Sequence, residues 1–528
     1  MGVTPLPRLS HPDNRQQSTV LQRQQWIVLI AILLLATGLR LYQLGTESIW
    51  IDEHFSIRDA ENLKIGTRPL YYALLHIWMK LGNSDAWLRA LSIPFSLGCI
   101  LLTYILSRRL LSSSVGLLAA LMVSLSPLFV GYAQEIRMYS LSTFLGLWGT
   151  LILAQILQHP EKMRPTLIMG WMLTRLLGVM TTPLNLLLLL PDTLLLFWRF
   201  RRNRQVMLTF VVGLVLAGIL WLPFAQVLQE AAPRFMGGWV MQQPKPDIVL
   251  IPAMLTGVTV FWPLGDLPNL STLSFSLSGW GWDETVMLYY MAFTGIAVFV
   301  LAIAMLQLIA TPRQLSQPQP ELWWIAVWAF LPTTVIAIVS TFSGSIWRER
   351  YLIFAVPYFL ILLAVGFIQL WRHYRGVALT VAIAYGIAVG GGLWHYYTTL
   401  YHDDWRGISE LIRTNEQPGD IIGFYAPDWE ARLSIPRYYQ GDAPFHVMEQ
   451  EELPRPKNPE TTEPFIRNML QGLPPTASRY WLVVYEPWTG GMKLIRQEID
   501  QQFEVLDYQT FPNSVNAPIE VFLVAPQI

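Results

Sequence analysis

Long apolar runs recur along the first 400 residues, at 25–44, 86–107, 114–132, 138–157, 166–180, 183–198, 206–228, 285–308, 322–341, 351–370 and 377–397. About 20 mostly apolar helical residues cross a bilayer core, so the pattern predicts about eleven transmembrane helices. The runs 166–180 and 183–198 are short and are separated by Thr181-Thr182-Pro183. Beyond Tyr401 the pattern changes. Strand-like runs occur at Ile421–Tyr425, Tyr480–Tyr485, Phe503–Tyr508 and Ile519–Val524, with helix-like segments such as Trp405–Arg413 and Met492–Gln502 between them. Strands alternating with helices predict a small α/β domain with a partly parallel sheet. The expected fold class is a mainly α polytopic membrane protein carrying a small C-terminal α/β domain outside the cytoplasm. The expected division is a cytoplasmic tail over 1–24, a transmembrane domain over 25–399 and the α/β domain over 400–528. Two outer loops are long, about 45–85 and about 229–284. In the second, Ile248–Leu264 is apolar but holds Pro252, Gly257 and Pro263, which suits an interfacial helix or re-entrant piece better than a span. Glu449–Pro464, rich in Pro and Glu, reads as a loop.

Composition supports membrane residence. Apolar residues make up 53% and charged residues 14% of the 528, against about 25% charged in an ordinary soluble domain. Lys and Arg number 36, as do Asp and Glu, and this neutrality argues against a nucleic-acid-binding protein. The balance hides two unlike parts. From Tyr401 onward there are 10 basic and 19 acidic residues, or −9, which leaves +9 for the rest. With the N-terminus placed in the cytoplasm, the inner segments hold 14 basic residues in about 64 positions and the outer loops 9 in about 118. That is the direction of the positive-inside rule. An odd number of spans then puts the tail outside. The first apolar run is too long for a cleavable signal peptide, and no small-residue cleavage site follows it. Cys99 lies in an apolar stretch and reads as a small core residue.

The few carboxylates near span ends are the candidates for chemistry. Ser48-Ile49-Trp50-Ile51-Asp52-Glu53-His54-Phe55-Ser56 follows the outer end of the first run. Its plain reading is a solvated loop start with an aromatic anchor. Tyr132-Ala133-Gln134-Glu135-Ile136-Arg137-Met138-Tyr139 lies between the third and fourth runs, on the same side. Glu135 and Arg137 can simply pair at the interface. Two carboxylate sites and an arginine facing one cavity would instead suit activation of a hydroxyl and retention of a phosphate. Trp347-Arg348-Glu349-Arg350-Tyr351 places two arginines outside, against the positive-inside preference. They read either as a rim salt bridge with Glu349 or as a clamp for a lipid phosphate. His54 and His76 are most simply hydrogen-bonded structural residues. Arg40 and Arg89, at outer helix ends, are expected to snorkel to the headgroups.

Several motifs occur in a fixed order. A Trp-x-Asp-Glu motif comes first, then Pro69-Leu70-Tyr71-Tyr72, then the Gln-Glu-x-Arg-x-Tyr loop. Arg350-Tyr351-Leu352 with Pro357, and Asp404-Trp405-Arg406, follow. Over about residues 25–415 this resembles the polytopic GT-C glycosyltransferases, specifically the protein O-mannosyltransferase and lipid A aminoarabinose transferase group. Members often carry His-Pro-Pro where this chain has Thr67-Arg68-Pro69. The resemblance implies a hexosyl- or pentosyltransferase that uses a polyprenyl-phosphate sugar, with an acceptor that is protein, lipid or glycan. It implies Asp52 as base, Glu53 as a binding or orienting group and Glu135 as support for donor or acceptor. It makes Arg137, Arg348 and Arg350 candidates for the leaving phosphate. Tyr71, Tyr139 and His54 complete the expected substrate contacts. A prenyl phosphate is a fair leaving group, so no cofactor is required; a divalent metal is compatible but not indicated. Membrane lipids are the other expected partners. Inverting single displacement is what the resemblance suggests.

Rival classes remain. A secondary transporter or lipid flippase would place ionisable residues and broken helices near the midplane, often in repeated halves; here the charged motifs lie at helix ends and no repeat is visible. A non-catalytic scaffold would tolerate loss of Asp52, Glu53 and Glu135. A ligase or polymerase of lipid-linked glycans shares the donor chemistry and differs in the acceptor.

Overall fold

The computed structural model describes chiefly residues 13–219, 295–306, 320–425, 430–448, 466–484, 492–511 and 518–527. Nearly all of the loop 229–284, including its apolar stretch Ile248–Leu264, and all of Glu449–Pro464 lie outside the described residues. The chain divides into two compact units. One comprises Met1–Tyr42, Ser92–Ala133 and Met138–Leu393, the other Gln43–Leu91, Gln134–Arg137 and Trp394–Ile528.

Among the described residues seven helices are long and apolar enough to cross a membrane: Gln22–Leu41, Asp85–Leu110, Tyr139–Gln158, Pro183–Phe200, Glu321–Phe342, Val356–His373 and Arg375–Thr398. The chain is thus a multi-pass membrane protein. Ser113–Leu125, Val206–Leu216 and Gly295–Ala304 are apolar but shorter, and Pro165–Thr181 has 17 residues. The run 114–132 is not one helix. It breaks at Ser126, which is held at φ −60° and ψ 119°. Pro127 clashes with an α conformation at the residue before it, and a short helix Pro127–Gly131 follows.

Two charged positions inside the first unit are satisfied by protein rather than by headgroups. The expected snorkelling of Arg40 is corrected: its guanidinium is fully buried. It donates to Ser96 Oγ (2.8 Å) and to the carbonyls of Ala36 and Ser124 (3.1 Å each). Arg175 pairs with Asp192 at 2.7 Å, and Asp192 also accepts from the indole N–H groups of Trp171 (2.8 Å) and Trp328 (2.9 Å). A charge in an apolar interior is tolerated only with such a full set of partners.

In the second unit the helices are numbered α1 (Ile51–Glu61), α2 (Pro69–Met79), α3 (Asp85–Ala90), α4 (Trp405–Asn415), α5 (Glu430–Tyr438) and α6 (Met492–Gln502). The strands are β1 (Asp420–Tyr425), β2 (Phe445–Val447), β3 (Arg479–Val484), β4 (Phe503–Phe511) and β5 (Ile519–Pro526). The sheet order is β2-β1-β3-β5-β4. β1 pairs in parallel with β2 and β3, while β5 pairs antiparallel with β3 and β4. Both faces of the central strands are covered. Tyr480, Leu482 and Val484 join Ile495, Ile499 and Val524 on one side. Trp481 and Val483 join Trp405, Ile408, Ile412, Ala431 and Ile435 on the other. That is why β3 reads as a continuous apolar run rather than an alternation. The helix α4 contributes Trp405, Ile408 and Ile412, one stripe at helical spacing, and Asp404 caps it by accepting from Gly407 N–H at 2.9 Å.

Candidate active site

α1 begins directly after Trp50, with Asp52 and Glu53 in its first turn. Carboxylates suit the positive end of a helix dipole, and Glu53 accepts from the Trp50 N–H at 3.3 Å. Beyond that shared role the two diverge. The Glu53 side chain is 0% exposed and is gripped by Arg89, whose Nε and Nη2 donate to its two oxygens at 3.0 and 2.8 Å. Its Oε1 also accepts from Ile136 N–H at 2.8 Å. Burial alone would raise the Glu53 carboxyl, but Arg89 and the hydrogen bonds outweigh it and hold the group below the usual carboxylate range. Glu53 is therefore a buried, ionised tie between α1, α3 and the 134–137 loop.

The expected snorkelling of Arg89 is corrected by the same contacts. Besides Glu53, its guanidinium donates to the carbonyls of Glu47 (2.9 Å) and Ser48 (3.0 Å). An arginine with this many fixed acceptors gains nothing from reaching lipid.

Asp52 keeps 28% of its side chain exposed and lies 3.4 Å from Arg137. Arg137 is buried, and its Nη1 donates to the Asp52 carbonyl (2.8 Å) and to Ser56 Oγ (3.0 Å). The pair thus stands on a cation fixed by backbone and hydroxyl acceptors. Tyr71 on α2 is 2% exposed, and its hydroxyl has no hydrogen-bond partner among the described residues. Burial pushes that hydroxyl well above its ordinary value. Arg137 works against this, while Glu53, Tyr72 and Glu135 add to it. Tyr71 therefore shares one electrostatic neighbourhood with Arg137, Glu53 and Glu135. Glu135 itself is buried in the loop beside Arg137.

His54 faces elsewhere. Its Nε2 lies 2.8 Å from Ser434 Oγ on α5, and burial together with Arg437 lowers its ring to about 4. A neutral imidazole in a helix-to-helix contact is the structural reading allowed for it in the sequence. Tyr139, Arg348 and Arg350 belong to the first unit. Tyr139 is buried at the start of the helix Tyr139–Gln158, its ring 4.7 Å from that of Tyr132. Arg348 precedes the short helix Glu349–Leu352, and Arg350 lies over the Tyr351 ring at 5.2 Å.

Sequence reading passed over several residues that build this neighbourhood. Asp85 is 6% exposed. It is held by Arg437 (2.6 and 2.9 Å), Tyr438 (2.7 Å) and Arg406. His402 pairs with Glu47 at 2.7 Å and stacks on Trp50, the rings 5.5 Å apart and 9° from parallel. Burial opposes protonation of His402, but Glu47 prevails and raises it above its ordinary value. One signal was available: Asp85 and Arg89 stand four apart at the mouth of an apolar run, where unpaired charges are costly. Among the described residues no group of three or more His, Cys, Asp or Glu side chains is placed to hold a metal ion.

No protein-family model and no curated protein matches the chain. Solved structures do. ArnT from Cupriavidus metallidurans in the apo state superposes with a TM-score of 0.54 at 14% identity, covering 96% of this chain and 98% of its own. The same enzyme bound to undecaprenyl phosphate gives 0.54 at 13%, covering 94% and 98%. The oligosaccharyltransferase of Archaeoglobus fulgidus gives 0.52 at 10%, covering 95% of this chain and 75% of that one. Likeness over nearly the whole chain at such low identity is a statement about architecture. The chain has the fold of the polytopic GT-C glycosyltransferases that its motifs resemble.

Proposed function

We propose that the protein is a membrane glycosyltransferase that moves a hexosyl or pentosyl group from a polyprenyl-phosphate donor to an acceptor hydroxyl on the outer face of the membrane. The observation that carries this reading is the asymmetry of Asp52 and Glu53. Glu53 is fully buried and committed to Arg89, Trp50 and Ile136, while Asp52 remains partly open beside a fixed arginine. One carboxylate is locked in place, and its partly exposed neighbour on Arg137 is the one we assign to chemistry.

In this reading Asp52 takes the proton of the acceptor hydroxyl. The acceptor oxygen attacks the anomeric carbon, the bond from that carbon to the phosphate oxygen breaks, and the prenyl phosphate departs with the electron pair. A single displacement of this kind inverts the anomeric centre. Arg137 supplies positive charge and Tyr71 a hydroxyl for the developing phosphate charge. Glu135 supports donor or acceptor from the same loop. Tyr139, Arg348 and Arg350 are candidate substrate contacts within the first unit, the arginines for phosphate. The fold likeness supports the donor class, since ArnT has been solved with undecaprenyl phosphate bound.

Cells with and without the gene, and deleted cells supplied with Asp52→Asn, are compared by mass spectrometry of outer-face glycans, glycoproteins and glycolipids. A sugar adduct should disappear on deletion and return with the wild-type chain. With Asp52→Asn at equal expression, its formation should fall by about 10²–10⁴-fold, the range for losing a general base. Normal modification by that variant would remove Asp52 as the base.

A further inference from the structure

Two faces of α5 have different duties. Ala431 and Ile435, four apart, join the sheet core. Ser434, Arg437 and Tyr438, spaced three and four apart on the helix, address the segment around Asp52. Ser434 meets His54 at 2.8 Å. The Tyr438 hydroxyl accepts from Ile49 N–H at 2.7 Å and donates to Asp85 Oδ2 at 2.7 Å. Arg437 donates twice to Asp85 Oδ1, at 2.6 and 2.9 Å. Arg406 reaches Oδ2, its guanidinium 4.9 Å over the Tyr438 ring.

From Asp85 the connection runs along the α3 backbone. Four residues along α3, Arg89 grips Glu53. Glu53 accepts from Ile136 N–H, and the next residue, Arg137, donates to the Asp52 carbonyl and Ser56 Oγ. The side-chain bonds at Glu53 and Arg137 are charge-assisted, so their geometry is tightly fixed, and backbone joins them: α3 between Asp85 and Arg89, one peptide bond between Ile136 and Arg137. Tyr438 touches this system at two points at once: the backbone just ahead of α1 and the carboxylate at the head of α3.

We infer that Tyr438 is a positioning residue for the Asp52 segment: alongside Ser434, Arg437 and Arg406, its hydroxyl is the group of the sheet-bearing part that holds both the backbone ahead of α1 and the head of α3, and through them it steadies α1 and the 134–137 loop. The role as a placement of catalytic groups rests on the glycosyltransferase reading above. The mechanical coupling does not.

The test is Tyr438→Phe in the full chain, purified in detergent and followed by hydrogen exchange with peptide mass spectrometry. Tyr439→Phe is the control; that hydroxyl contacts Glu416 and Ala443 N–H instead. Tyr438→Phe should speed exchange about tenfold in peptides over 49–54 and at Ile136, as expected for losing one buried bond. Exchange on β3 should not change, and Tyr439→Phe should leave 49–54 and 134–137 as in wild type. Acceleration confined to 430–439 would overturn the coupling. So would equal acceleration everywhere, β3 included, because the hydroxyl would then brace the whole unit. Where sugar transfer is measurable, Tyr438→Phe should lower kcat about tenfold with donor KM unchanged. An absence of transfer in the wild-type chain counts against the enzyme reading alone, and the exchange result still decides the coupling.

Discussion

Replacing Glu53 by Gln and Asp52 by Asn should separate two uses of adjacent carboxylates. Glu53→Gln leaves Arg89 buried without its bidentate partner, a change that costs about 3–5 kcal/mol, so the melting temperature in detergent should fall sharply. Asp52→Asn leaves Arg137 its backbone and Ser56 acceptors, so the melt should move little while transfer collapses. Equal melts for the two variants would contradict the division of labour. A further residue-scale expectation concerns pH. His54 is lowered from 6.5 to about 4 by burial and by Arg437. On acidification the unfolded chain takes up this proton first, so stability falls as pH drops from about 6.5 to about 4. His54→Gln keeps a polar group for Ser434 without a titrating ring. Its melting temperature should therefore decline less than the wild type's between pH 7 and pH 4.5. Asp52, Glu53 and Arg137 were legible in the sequence because charges are scarce beside apolar runs. Arg89 and Asp85 were misjudged or missed because their partners are distant in sequence, and only folding shows that Arg89 turns inward.

At the scale of elements, periodicity located most of what the structure describes. The four strand-like runs fall on β1, β3, β4 and β5, and Met492–Gln502 is α6. β3 and β5 stand out as short apolar runs buried along most of their length, and α6 by its helical period. β2 and α5 were not found: β2 has three residues, and α5 carries Pro436 and a polar face. The break at Ser126 was overlooked because the apolar run continues across it. Helix approach is likewise invisible in an apolar pattern. A Cβ on Gly366 would collide with the Val300 carbonyl oxygen, so the helix Val356–His373 meets its neighbour at bare backbone. Gly366→Ala should force the two apart and cost about 1–3 kcal/mol, read as a lowered melting temperature. An unchanged melt would mean that this contact is not close in the folded protein.

For the whole molecule, the sides of the membrane are the prediction to test. The segments assigned inside hold 14 basic residues in about 64 positions and those assigned outside 9 in about 118, a bias that predicts a cytoplasmic N-terminus. The seven long helices are candidates by length and composition, and the runs 206–228 and 285–308 extend past the described residues. Cysteine labelling decides the matter directly, since the native Cys99 is buried and should stay silent. Glu410 lies exposed on α4 in a surface pair with Arg413, a contact worth little to stability, and Arg201 is exposed in the basic 199–204 segment. In sealed cells a membrane-impermeant maleimide should label Glu410→Cys at once and Arg201→Cys only after permeabilisation. Labelling of Arg201→Cys first, with Glu410→Cys protected, would invert the protein. Labelling of both, or neither, would require an even number of crossings between them. Because α1 and the sheet belong to one compact unit, the side on which Glu410→Cys is labelled is also the side of Asp52, and the first outcome puts it outside.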